Sequence, residues 1–202
     1  MRLIARSQLS GSIVGSQRNA IVVDGKNMEH MEANMERLKE LVLYISSKCA
    51  FNPKYGVTKL NKILFYADFL AYRHEGSAVT GFQYQKLPHG PVPKKMKDVF
   101  KRMEADGILA RQIIALPGGK KQIRPVGLRK ANLSVFTAEQ IALVDALIND
   151  FGPMHTEEVS EISHQEIGWR AARLGERIPY STAHLSTEAP NAYDFQRASK
   201  IR

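Results

Sequence analysis

Cysteine is nearly absent: Cys49 stands alone among 202 residues, so no intramolecular disulfide forms and no zinc-finger or dithiol redox motif can be written. That fits a reducing compartment, and a cytoplasmic location is expected. Long apolar runs are missing too. The stretch Ile63 to Leu70 contains Asp68 and falls far short of the roughly 18 to 20 residues a membrane span needs, so no membrane association is expected. There is no G-x-S-x-G, no H-E-x-x-H and no phosphate-cradling glycine loop, since Gly118-Gly119 is too short for one. Cys49 falls on an apolar helical stripe and reads as core. The six histidines form no paired ligand set. Nothing in the sequence argues for an enzyme, a metal or a cofactor.

What is present is a globular composition, 44% hydrophobic and 24% charged, enough for one domain with a core. Acidic residues are outnumbered, 20 against 29 Lys and Arg, giving a formal charge of +9. Nearly all of that excess lies between Pro91 and Lys130, with eleven basic and three acidic residues. Three readings of this segment stand side by side: a solvated helix face, a docking patch for an acidic protein, and a phosphate-binding surface. The last would resemble a winged-helix layout and would use Lys94, Lys95, Lys101, Lys120 and Lys121.

Residues 1–30 carry no helical stripe and read as an extension, with a short strand at Ala20 to Val23 and with Met28 and Met31 as candidate alternative starts. The spacing of Met35, Leu38, Leu41, Val42, Ile45 and Cys49 predicts a helix ending before Asn52. A second helix is predicted from an N-cap at Thr58 to Arg73 or His74, closed by Gly76. It is apolar most of the way round, with Leu60, Ile63, Leu64, Ala67 and Leu70 beside Phe65, Tyr66, Phe69 and Tyr72. Such a helix is central or docks a partner.

Phe82 to Gln85 alternates like a strand, whereas prolines 88, 91 and 93 argue against pairing beyond it and place Pro93 in the first turn of a helix carrying Met96, Val99, Phe100 and Met103. A hairpin follows over Ile108–Leu116 and Gln122–Val126. Thr137 and Gln140 have capping-box spacing before a helix stopped by Gly152-Pro153. A short helix starts at Thr156, and a further turn of helix follows Gly168-Trp169. The resulting fold class is mainly helical α+β: about six helices around the 58–74 helix, with a small antiparallel element from 82–85 and 108–126. Residues 187–202 form a polar tail.

Three stretches together resemble one family. Lys59-Leu60-Asn61-Lys62-Ile63-Leu64-Phe65-Tyr66-Ala67-Asp68, then Thr80-Gly81-Phe82-Gln83-Tyr84, then Pro88-His89-Gly90-Pro91-Val92-Pro93 are similar to the Panacea antitoxin domain, also called SocA-like or phage-associated GepA-like. Ser163-His164-Gln165-Glu166-Ile167-Gly168-Trp169 is similar to that family's His and Trp signature, with Gly168 where the family pattern has proline. The domain is expected to span 31–186. The resemblance implies a non-catalytic antitoxin that neutralises a cognate protein toxin encoded beside it, with a toxin-antitoxin hetero-oligomer or a homo-oligomer as the assembly. It implies no cofactor. A regulator that binds DNA and an adaptor that delivers the toxin to a protease are the alternatives. Candidate toxin-binding residues are Tyr66, Phe69, Tyr84, Lys86, His89, Pro91, Lys94, His164 and Trp169. The proline-stiffened 88–93 loop can present His89 with little ordering cost, or serve as a rigid connector. Tyr66 and Tyr84 suit an interface edge or a buried site with a satisfied hydroxyl. Trp169 suits a core or a binding hot spot, and His164 a capping or core-bonded role.

Overall fold

A computed structural model describes residues 35–185; the strand expected at 20–23 and the tail from 187 lie outside the described residues. Six α-helices, five strands and three short 3-10 turns follow in the described residues. Helix α1 (Met35–Lys48) and helix α2 (Val57–Glu75) are joined by a turn that buries Cys49. Burial pushes the Cys49 thiol up to about 11, which leaves it an unreactive part of the core.

Helix α2 is the centre of the molecule. Thirteen of its 19 residues are buried, and it packs against α1, α4 (Ala138–Phe151), α5 (Thr156–His164) and strand β2 (Gly90–Pro93). Its C-cap is Gly76 in the left-handed region, whose N–H donates to the Tyr72 carbonyl, as its position after the last apolar turn predicts. The N-cap is Gly56 and not Thr58, so helix geometry starts earlier than the side-chain cap signal indicated. Space explains the choice of residue: a Cβ at Gly56 would lie 2.9 Å from Gln122 Cγ. The predicted capping box of α4 is present, with Gln140 N–H donating to Thr137 Oγ1 and the Gln140 side chain accepting from Thr137 N–H.

The strands depart most from expectation. Strand β1 is Tyr84–Leu87, and it lies in a three-stranded sheet ordered β2-β1-β5, where β5 is Arg177–Ile178. The segment Gly90–Pro93 pairs with β1 despite its prolines. Pro91 and Pro93 occupy alternate positions of an edge strand, while Lys94 N–H donates inward to Gln83 O at 2.7 Å; the missing proline N–H groups therefore fall on the open edge, where no ladder bond is lost. Pro93 ends this strand and does not begin a helix. Helix α3 (Met96–Ala105) starts after a turn in which Lys95 takes a positive φ of 61°. Strands β3 (Leu109–Ala115) and β4 (Lys121–Gly127) form the predicted hairpin, but as a separate two-stranded sheet. Helix α6 (Ile167–Ala171) supplies the turn of helix around Trp169.

Candidate functional site

The β1–β2 turn carries Pro88 and His89, both exposed, at the tip of the hairpin. What fixes that tip comes from α2. Lys62 is fully buried, and its ammonium donates to the His89 carbonyl. Gly90 has φ 104°, and a Cβ there would lie 2.5 Å from both Lys62 Nζ and Ser163 Oγ, so only glycine lets the strand pass so close to the lysine. No carboxylate among the described residues pairs with Lys62. Removal from water lowers its pKa to about 7, which leaves the buried amine half protonated near neutral pH.

Beside the tip lies a ledge built from three elements. The rings of His164 (α5) and Trp169 (α6) stack with centroids 4.0 Å apart, and Lys86 of β1 holds its ammonium 4.1 Å above the Trp169 ring. Trp169 Nε1 donates to Leu87 O at 3.3 Å, and Lys86 Nζ donates to Ala172 O at 3.0 Å, tying α6 to β1. His164 Nε2 is buried without a hydrogen-bond partner. Burial, with Lys62 and His89 adding repulsion, lowers the His164 pKa, so the imidazole stays neutral at physiological pH. Glu166 begins this segment and accepts from Tyr66 OH at 2.9 Å; burial raises its pKa against that hydrogen bond.

The structure separates the candidate toxin-binding residues into two groups of four and leaves Lys94 apart from both. Lys86, His89, His164 and Trp169 come together on the ledge and tip. Tyr66, Phe69, Tyr84 and Pro91 are buried and face the interior; Phe69 and Tyr84 meet edge to face at 5.7 Å, and Tyr84 donates to Asp68. These four side chains pack within the interior. Lys94 is exposed at the far end of β2, away from the tip. The residues that sequence reasoning passed over are Lys62 and Asp68, both inside a helix read as apolar. The signal was available: a helix apolar nearly all round has no solvated face on which to place them.

Gly168 sits where the surrounding structure leaves no room for a side chain. A Cβ there would press on Thr182 Oγ1 and lie 2.7 Å from Ile178 Cγ2. Gly168→Ala is expected to cost about 1–3 kcal/mol by overpacking. Adding Thr182→Ala should recover part of that loss in urea titrations; equal midpoints for the single and double variants would refute the contact.

Residues 60–170 match a family of antitoxins. The match runs from the first turns of α2 to α6, over more than half of the chain, and it holds the tip, the ledge and the β3–β4 hairpin. Its description is Antitoxin SocA-like, Panacea domain, and the chain belongs to that family. No curated protein and no solved structure matches the chain. Among the described residues no helix is long and apolar enough to cross a membrane.

Proposed function

We propose that this protein neutralises a cognate protein toxin by direct contact, covering the toxin's active site or its substrate path, and that the tip and ledge are part of the contact. Membership of the antitoxin family carries the reading. The geometry supports it, because His89 stands exposed on a turn already held by Lys62 and by proline, so little ordering entropy is lost on binding. The Lys86–Trp169 pair adds an amphipathic surface of the kind that recurs at binding hot spots.

Co-expression with the gene encoded beside it tests the reading: growth is restored and the two products co-purify. A harmless neighbouring product, or one that never co-purifies, would count against it. Toxin half-life in the same cells distinguishes occlusion from delivery to a protease, since occlusion leaves the toxin as long-lived or longer-lived. His89→Ala keeps the backbone carbonyl that Lys62 uses, so the melting temperature should hold while toxin affinity falls about tenfold. Thermal unfolding checks the first half of that expectation and titration calorimetry the second.

A further inference from the structure

The basic segment divides into paired and unpaired charge. Arg111 grips Glu104 in a two-bond fork at 2.7 and 2.6 Å, and Lys39 holds Asp106 at 2.7 Å. Two of the segment's three acids are thereby consumed. On α3, burial of Met96, Val99, Phe100 and Met103 sets Lys97, Lys101 and Glu104 in one stripe at spacings of four and three. Lys97 and Lys101 are exposed and have no ion pair among the described residues. Glu104 closes the stripe onto Arg111, so this cationic flank runs directly onto strand β3.

The face of the hairpin it meets is the outer one. Gln122 and Arg124 point the other way and donate to the carbonyls of Pro53, Ala50 and Asn52. Alternation puts Arg111 and Ile113 outward, opposite Pro125 and Ile123, with Lys121 next along β4 on the same side. Leu109 and Pro125 are buried at the base of this face. Further out, Ile113 is 71% exposed and its direct cross-strand partner Ile123 is 42% exposed. An apolar pair in water, with Lys121 on the same face and Lys97 and Lys101 on the adjoining flank of α3, has the layout of an interface centre with charge beside it. A phosphate backbone would satisfy the cations but would give the isoleucines nothing to pack against. An acidic polypeptide surface with apolar side chains satisfies both.

We infer that the outer face of the β3–β4 hairpin and the adjoining flank of α3 dock an acidic, apolar-centred segment of the toxin, as a second contact beside the tip. This assignment rests on the antitoxin reading and adds the chemistry of the partner's surface. The test is titration of the purified protein with the purified product of the adjacent gene, at low and at high salt. Ile113→Asp with Ile123→Asp should weaken binding at least about thirtyfold. Lys97→Glu, Lys101→Glu and Lys121→Glu together should weaken it mainly at low salt and flatten the salt dependence. All five positions are exposed, so thermal unfolding should stay near wild type, and the measured curves verify that the variants are folded. If wild type binds and both variants bind within about threefold of it, below the hot-spot range, the docking assignment falls and the antitoxin reading stands. If the lysine variant instead loses retention of labelled duplex DNA with toxin affinity unchanged, the surface belongs to phosphate and the assignment is overturned. If wild type itself does not bind the adjacent product, both readings fall.

Discussion

Asp68→Ala is expected to destabilise the protein by about 3–5 kcal/mol, a large share of the roughly 5–15 kcal/mol that separates folded from unfolded domains. Asp68 is fully buried on α2. Its two carboxylate oxygens accept from Thr80 N–H and Thr80 Oγ1, each at 2.5 Å, and from Tyr84 OH at 2.7 Å. Burial raises the pKa of the carboxyl, and the hydrogen bonds from Thr80 and Tyr84 offset only part of that rise. Truncation leaves those donors buried and unpaired, each a loss of about 1–3 kcal/mol that is not fully additive. Asp68→Asn retains one acceptor oxygen for Thr80 N–H, and the hydroxyls can turn to accept from its amide, so it should cost less than the alanine variant. Chemical denaturation orders the two; an alanine variant within 1 kcal/mol of wild type, about the net worth of one ordinary hydrogen bond, would remove the network from any structural role. The consequence for binding follows from connectivity. The Thr80–Tyr84 segment leads directly into β1, which ends at the His89 tip, so loosening Asp68 loosens the presented surface.

Where a local rule dominates, the fold is legible in the sequence. Thr137 with Gln140, and Gly76 after an apolar turn, mark helix ends through side-chain and backbone hydrogen bonds that depend on a few neighbouring residues. The β3–β4 hairpin reads correctly because its two runs flank a short turn. Strand β2 does not, because proline's veto on pairing is conditional: it applies inside a sheet and lapses on an edge, and only the tertiary arrangement shows that β2 is an edge. The alternate spacing of Pro91 and Pro93 was the one local hint.

The site divides along the same line. Lys86 and His89 lie far in sequence from His164 and Trp169, and the two pairs meet because α5 and α6 pack back onto β1 and β2. Tyr66, Phe69 and Tyr84 were ambiguous by nature, since an aromatic stripe serves a core or an interface equally well. Asp68 decides for Tyr84, whose hydroxyl is satisfied internally.

Lys62→Met should stabilise the protein at neutral pH and, with the tip as the proposed toxin contact, weaken toxin binding in the same substitution. The lysine's pKa falls from its ordinary value of 10.5 to about 7 on folding, through desolvation alone. Between those values the unfolded chain binds a proton that the folded chain does not, so stability rises with pH across this window, and below pH 7 the full penalty applies. From pH 7 to pH 9 the gain from this one group is about 2 kcal/mol. The neighbouring Lys59, also buried and lowered by desolvation, contributes a slope of the same sign. Cys49, raised to about 11 by burial, works in the opposite direction only above its ordinary value of 9.0. The difference between wild-type and variant urea titrations from pH 7 to pH 9 therefore isolates Lys62. Methionine fills a similar volume with no charge to desolvate, so the variant should be more stable than wild type at pH 7 and the gap should narrow toward pH 9. A variant with the wild-type slope would show that the amine is solvated in the folded protein. The bond to the His89 carbonyl is lost in the same variant, which frees the tip that the lysine fixes; affinity for the toxin should fall while stability rises. That pairing of opposite signs separates a lysine kept for positioning the tip from one that merely fills the core, for which affinity would be unchanged or would follow stability.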